Sequence, residues 1–107
     1  MKELDEQIKS FLQSGDYSAA RDFLNNAKEQ FKDQWDYWYY LAYTERKIGN
    51  LARAEDFCKK SLELMPDSQV ANFELGMIYQ SKGDYKKAIE NIKKVVESFS
   101  ERTTLPE

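Results

Sequence analysis

Side chains able to do covalent or acid–base chemistry are few in this chain. Among its 107 residues there is no histidine, which removes the commonest general base and the commonest metal ligand. A Ser-His-Asp triad, a Cys-His pair and a histidine-containing zinc site are therefore out of reach of this chain alone. One cysteine remains, Cys58, with Leu24 and Ile92 standing 34 residues to either side of it. It is expected to pack as a small buried apolar group, not to react as a thiol. Neighbouring carboxylates such as Glu55 and Asp56 read as charged helix surface, and the scattered glycines form no phosphate-cradling loop. No catalysis, no metal and no cofactor are expected.

Recognition chemistry is better represented. Trp35, Tyr37, Trp38, Tyr39, Tyr40 and Tyr43 fall within nine residues. Rings at that density cover several sides of a helix, so some must lie outside the local core. Trp38 aligns with the core face. Tyr39 and Tyr43 are four apart and share another face. Phe73 follows Tyr39 by 34 residues, and Met77 follows Tyr43 by the same interval. The row Tyr39, Tyr43, Phe73 and Met77 is expected to form an apolar wall that a partner covers. The alternative use of these rings is packing between neighbouring helices. Arg46 and Lys47 end the helix that carries the tyrosines. They are expected to meet an acidic group of a partner at the edge of the wall, or to complement the helix C-terminus.

The elements that position these residues recur with a period of 34. Gly15, Gly49 and Gly83 keep it, as do Asp16, Asn50 and Asp84, and Ala20, Ala54 and Ala88. Repeats 1–34, 35–68 and 69–102 follow, with a tail over 103–107. Each repeat carries two apolar stripes of helical period, for example Trp38, Leu41, Ala42 and Glu45, or Tyr85, Ala88, Ile89, Ile92, Val95, Val96 and Phe99. The pattern predicts helices near 2–13, 16–31, 35–48, 50–64, 69–82 and 84–99. Glycine can end the first helix of each pair in the left-handed conformation, and the Asp or Asn after it can cap the second. Pro66 should help to stop the helix before it. The three alanines let paired helices approach closely, with Ala42 and Gly76 as facing small residues and Ile8 in that place in the first repeat.

These motifs resemble the tetratricopeptide repeat. They are Trp38, Leu41 and Ala42, then Gly49, Asn50, Leu51 and Ala54, then Pro66; and Leu75, Gly76 and Tyr79, then Gly83, Asp84, Tyr85 and Ala88. The resemblance covers 1–102. Departures stand at Gln7, Lys32, Glu45, Asn72 and Ser100. The resemblance implies an all-α, right-handed superhelical solenoid of three helix-turn-helix repeats. Its first helices would line a concave groove that binds a peptide or helix of another protein, without catalysis. In the subtype that clamps the carboxylate of chaperone tails, the clamping slots would fall here on Asp5, Lys9, Tyr40, Val70 and Glu74. Only Lys9 is cationic, so an acidic chaperone tail is not the expected ligand. An apolar groove is more similar to members that shield hydrophobic segments.

Charge and hydropathy bound the partner further. The net charge is −3, with 16 basic residues interspersed among 19 acidic ones; no basic stripe for nucleic acid appears. No apolar run approaches a membrane span or a signal peptide. The lone cysteine suits a reducing compartment, so a cytoplasmic protein is expected. The apolar outer edge of the last helix, at Ile92, Val96 and Phe99, is expected to stay bare and to support a homodimer acting as a self-assembly unit. Residues 103–107, led by Leu105, are an alternative cover, and a continuation of the chain is a third.

Overall fold

A computed structural model describes the backbone of residues 2–103 and the side chains of residues 3–98. Seven helices run in order: α1 Lys2–Ser14, α2 Tyr17–Asn26, α3 Lys28–Phe31, α4 Trp35–Ile48, α5 Leu51–Leu64, α6 Gln69–Lys82 and α7 Tyr85–Thr103. Among the described residues there is no strand. Helix packs against helix in pairs, α1 with α2, α4 with α5 and α6 with α7. Each second helix also meets the first helix of the next pair, α2 with α4 and α5 with α6. The architecture is the all-α right-handed solenoid of three helical hairpins.

The turn within each hairpin is the same local solution used three times. Gly15, Gly49 and Gly83 have φ of +77°, +106° and +85°, a region that a side chain makes costly. The next residue then reaches back to close the helix end: Asp16 N–H to Phe11 O at 3.0 Å, Asn50 N–H to Glu45 O at 2.9 Å, and Asp84 N–H to Tyr79 O at 2.9 Å. Asp16 Oδ1 accepts from Ala19 N–H at 3.1 Å and Asp84 Oδ1 from Lys87 N–H at 3.2 Å, capping α2 and α7. Asn50 departs from the expectation. Its side chain makes no cap and its Nδ2 donates to Glu45 Oε1 at 2.9 Å. An amide can serve a buried carboxylate as donor, and a carboxylate at that position cannot.

Two boundaries differ from the sequence pattern. The helix predicted over 16–31 is interrupted at Ala27, whose N–H is shared between Phe23 O at 3.0 Å and Leu24 O at 3.2 Å. Asn25 and Asn26 precede the break, and asparagine competes with the helix for backbone partners. Helix α7 passes the predicted end at residue 99 and runs to Thr103, because no proline stands where Pro66 follows α5. Phe99's side chain and residues 104–107, Leu105 included, lie outside the described residues.

Two apolar clusters fill the stack. One joins Leu4, Ile8, Ala20, Leu24, Phe31, Tyr37 and Leu41. The other joins Ala42, Ala54, Cys58, Ala71, Leu75, Ile78, Tyr79 and Ala88, and Phe57 packs on both. The three periodic alanines are buried, as close helix approach requires. At Gly76 a Cβ would come within 2.9 Å of Ile92 Cγ1 and 3.4 Å of the Ala88 carbonyl oxygen, so α6 and α7 touch where glycine removes the obstacle. Trp38 packs beside Tyr37 and Phe57, with its Nε1 donating to Lys32 O at 2.7 Å.

Candidate protein-binding face

The first helices α1, α4 and α6 carry most of the aromatic and unusual polar side chains. Along α4, Tyr39 is the hub. Its ring centroid lies 6.2 Å from Trp35, 5.2 Å from Tyr40 and 6.3 Å from Tyr43. Tyr43 meets Tyr17 of α2 edge-on at 6.5 Å. Both wall tyrosines are half-buried. Burial pushes the Tyr39 hydroxyl up to about 12, with the Glu74 carboxylate adding to it, and raises Tyr43 for the same first reason. Tyr39 and Tyr43 thus stay neutral at physiological pH and offer rings edged with hydroxyl groups.

Arg46 is placed otherwise than the sequence reading expects. Its Nε and Nη2 donate to the two carboxylate oxygens of Glu74, the latter at 3.2 Å, bridging α4 to α6. Its guanidinium also stacks over Tyr43 at 5.4 Å. An arginine so engaged spends these two donors within the fold. Glu74 is only 3% exposed, so it does not project into the groove as a repelling charge. Burial raises its pKa, and Arg46 pulls the other way without reversing it. Lys47, in contrast, is exposed, with its Nζ 5.5 Å from the Tyr43 ring. Among the described residues it forms no ion pair.

The predicted wall divides between two places. Tyr39 belongs to a hollow of about 320 Å³ formed by Asp5, Trp35, Asp36, Tyr39, Tyr40 and Val70. Phe73 belongs to an apolar hollow of about 430 Å³ between α6 and α7, with Gln69, Val70, Ile92, Val95 and Val96. Val70 lines both and connects them. Val70 and Phe73 are 48% and 47% exposed, large values for apolar side chains on one helix face. Met77 is half-buried. Of the residues expected at a dimer contact, Ile92 is half-buried against Gly76 and Val96 is exposed, with Ile89 exposed nearby.

Two site features escaped the sequence reading. Tyr40 donates its hydroxyl to Asp5 Oδ1, tying α4 to α1, and burial followed by that bond raises the Tyr40 pKa. Asp36 is buried in the first turn of α4, and burial followed by the Asp5 charge raises its pKa. The pairing of residues 5 and 40 crosses 35 positions and leaves no mark on the periodicity of either helix. Cys58 is where the sequence puts it. Its thiol, buried and donating to Ala71 O at 3.1 Å, is pushed up to about 12 by burial, which leaves it a poor nucleophile.

Comparison with known proteins agrees with this architecture. Two tetratricopeptide-repeat models match, one over residues 6–69 and the other over 70–101. The chain belongs to the tetratricopeptide-repeat family. A curated relative, the SGT1 homolog protein of Bos taurus, is 36% identical over 75 residues, which make up 70% of this chain and 22% of that protein. This repeat unit therefore spans about a fifth of the curated relative it matches. Among solved structures, a MamA fragment from Desulfovibrio magneticus RS-1 superposes with a TM-score of 0.84 at 20% identity, over 94% of this chain and 57% of that one. The second tetratricopeptide domain of Spaghetti (RPAP3), bound to the HSP90 peptide SRMEEVD, superposes with a TM-score of 0.79 at 17% identity. That match covers 89% of this chain and 88% of the Spaghetti domain. At these identities the likeness concerns the fold. Tetratricopeptide repeats are protein-interaction modules, and no helix among the described residues is long and apolar enough to cross a membrane.

Proposed function

We propose that this chain is a non-catalytic module that takes an apolar or amphipathic segment of another protein across α1, α4 and α6. One observation carries the reading. Val70 is shared by the hollow of Tyr39 and the apolar hollow of Phe73, and the Tyr43 ring packs on Tyr39. Exposed apolar surface marks interaction sites, and aromatic anchors dominate interface energetics. The Spaghetti domain of the same fold holds a peptide, which supports a peptide-sized ligand in general terms. A cytoplasmic workplace goes with this reading, supported by the lone buried thiol of Cys58. The test is affinity capture from source lysate, followed by titration of the captured partner against Tyr43→Ala/Phe73→Ala protein. Loss of about 2 kcal/mol of binding with retained helicity is the expected result. Unchanged affinity in the folded double variant refutes the reading.

A second reading, self-association into a homodimer, is favoured by the apolar hollow of Phe73, Ile92, Val95 and Val96 and by the exposed Ile89 beside it. Two copies meeting there would bury Val96, and Phe99 is proposed to join the contact. Val96→Glu should lower the mass seen in light scattering. Wild-type protein that stays monomeric at about 50 µM, where contacts of micromolar affinity are populated, removes this reading.

A further inference from the structure

The hollow at the start of the groove holds a charge pattern that the aromatic wall leaves unused. Asp5 of α1 and Asp36 of α4 both line it, and Trp35, Tyr39, Tyr40 and Val70 supply the rest of its surface. Tyr40 occupies Oδ1 of Asp5; a carboxylate has acceptor capacity for further donors, and Asp5 is exposed. Asp36 is 7% exposed and its Oδ1 has no hydrogen-bond partner. A buried carboxylate oxygen without a donor is costly. Burial and the neighbouring Asp5 charge both disfavour its ionised form.

Backbone N–H groups of Asp36 and Tyr37 and the N-terminal ammonium favour the Asp36 carboxylate, but less than burial and Asp5 disfavour it. Among the described residues no lysine or arginine forms an ion pair with either aspartate, including Lys9 one turn along α1 from Asp5. The N-terminal end of α4 contributes about half a positive charge, too little to offset two carboxylates. The walls suit a cation as well. Trp35, Tyr39 and Tyr40 stand as a run of contacting rings, and ring faces attract ammonium and guanidinium groups. A volume of about 320 Å³ has room for one long side chain.

We propose that this hollow is a recognition pocket for one cationic side chain, the ammonium of a lysine or the guanidinium of an arginine, carried by the partner segment. The inference rests on the groove reading only for the rest of that segment. Its ligand is then amphipathic in a defined way: a basic residue sits between Asp5 and the rings, and apolar residues run on over Val70 and Tyr43. Asp5 accepts from the cation directly. Asp36 acts through its field from the floor of the pocket.

The test is nuclear magnetic resonance of the full chain, titrated with n-butylammonium and, separately, with n-butanol as a neutral probe of similar shape, at constant ionic strength. Saturable shifts are expected at the backbone amides of Asp5, Trp35, Asp36, Tyr40 and Val70 with butylammonium, with butanol binding about tenfold more weakly. Asp5→Asn is expected to weaken butylammonium by about tenfold. Asp5 is exposed, so this variant reports even where Asp36→Asn disturbs the fold. Equal binding of the two probes, or an unchanged affinity in Asp5→Asn, overturns the proposal. So do unsaturable shifts spread over other acids such as Glu63 and Glu90. The probe has none of the partner's apolar anchors. Failure here therefore leaves the groove reading standing, and failure of the Tyr43 and Phe73 test leaves the pocket standing.

Discussion

Replacing Arg46 with methionine breaks an ion pair between two repeats in which both members are largely buried. The change keeps the aliphatic stem and removes two charge-assisted hydrogen bonds to Glu74. Glu74 is then a buried carboxylate without its hydrogen-bonded cation, with only the more distant charge of Lys47 left to it. Removing one member of a buried pair typically costs about 3–5 kcal/mol. The lower end applies here, about 3 kcal/mol, because the Arg46 side chain keeps 13% of its surface in solvent and water can partly replace it. That is a large share of the stability of a domain this size. The loss should depend on pH in a definite sense. Burial already holds the folded Glu74 pKa above the ordinary value of 4.5, and without Arg46 it rises further. Above that folded pKa the unpaired ion bears its full cost. As pH falls through it toward 4.5, the carboxyl takes up a proton and the penalty fades. Urea unfolding followed by circular dichroism, at about pH 7 and about pH 5, should show a deficit that shrinks on acidification. The double variant Arg46→Met/Glu74→Leu should return to within about 1 kcal/mol of the parent. A deficit below about 1 kcal/mol at neutral pH, the range of exposed pairs, or one that does not shrink in acid, would refute the reasoning.

Three further outcomes follow from the same geometry. The acidic peptide SRMEEVD, which occupies the Spaghetti domain, should show no saturable binding in calorimetry, because Asp5, Tyr40 and Val70 stand where a carboxylate would need donors; low-micromolar affinity would contradict this. Gly49→Ala forces a side chain onto φ +106° and should lower stability by about 1–2 kcal/mol in urea unfolding, although open space surrounds the new methyl group; a neutral effect would show that the turn relaxes. Gly76→Ala puts a Cβ within 2.9 Å of Ile92 Cγ1 and should cost about 1–3 kcal/mol, with Ile92→Ala in the same chain recovering part of the loss; additive losses in the double variant would rule out the steric account.

What the sequence revealed of this fold, and what it concealed, divides along physical lines. The 34-residue spacing of Gly15, Gly49 and Gly83 could be read because each turn needs a positive φ, and that need writes one residue type at one position. Burial of Ala20, Ala54, Ala88 and Cys58 followed from the same periodicity. The break at Ala27 and the extra turn of α7 depend on a small balance of propensities, which a repeat pattern averages away. Contacts between helices left the least trace. Glu74 read as a groove charge because its slot in the repeat suggests exposure, yet it is buried beneath Arg46, 28 positions earlier. Arg46 read as a cation at the groove edge, or as a complement to the helix C-terminus, because it ends the helix that carries the tyrosines. Phe73 aligned with Tyr39 by period, but its open flank lies toward α7.

The slots themselves show how a fixed scaffold changes what it recognises. In the subtype that clamps a terminal carboxylate, the resemblance puts lysine, asparagine and arginine at positions occupied here by Asp5, Lys9, Tyr40, Val70 and Glu74. The backbone there is held by Leu4, Ile8, Leu41 and Leu75 on the buried faces of the same helices, and those residues are indifferent to the sign of charge on the opposite face. Once the core fixes the spacing of α1, α4 and α6, the groove side chains are free to vary. With Asp5 and Asp36 at its head and Glu74 withdrawn into an internal pair, this groove presents acceptors where a carboxylate clamp presents donors. A cationic residue followed by apolar ones satisfies those acceptors and covers Val70 together. An acidic tail would leave Asp5 and Asp36 unneutralised and add a third negative charge beside them, and the faces of the Trp35, Tyr39 and Tyr40 rings would not attract that charge.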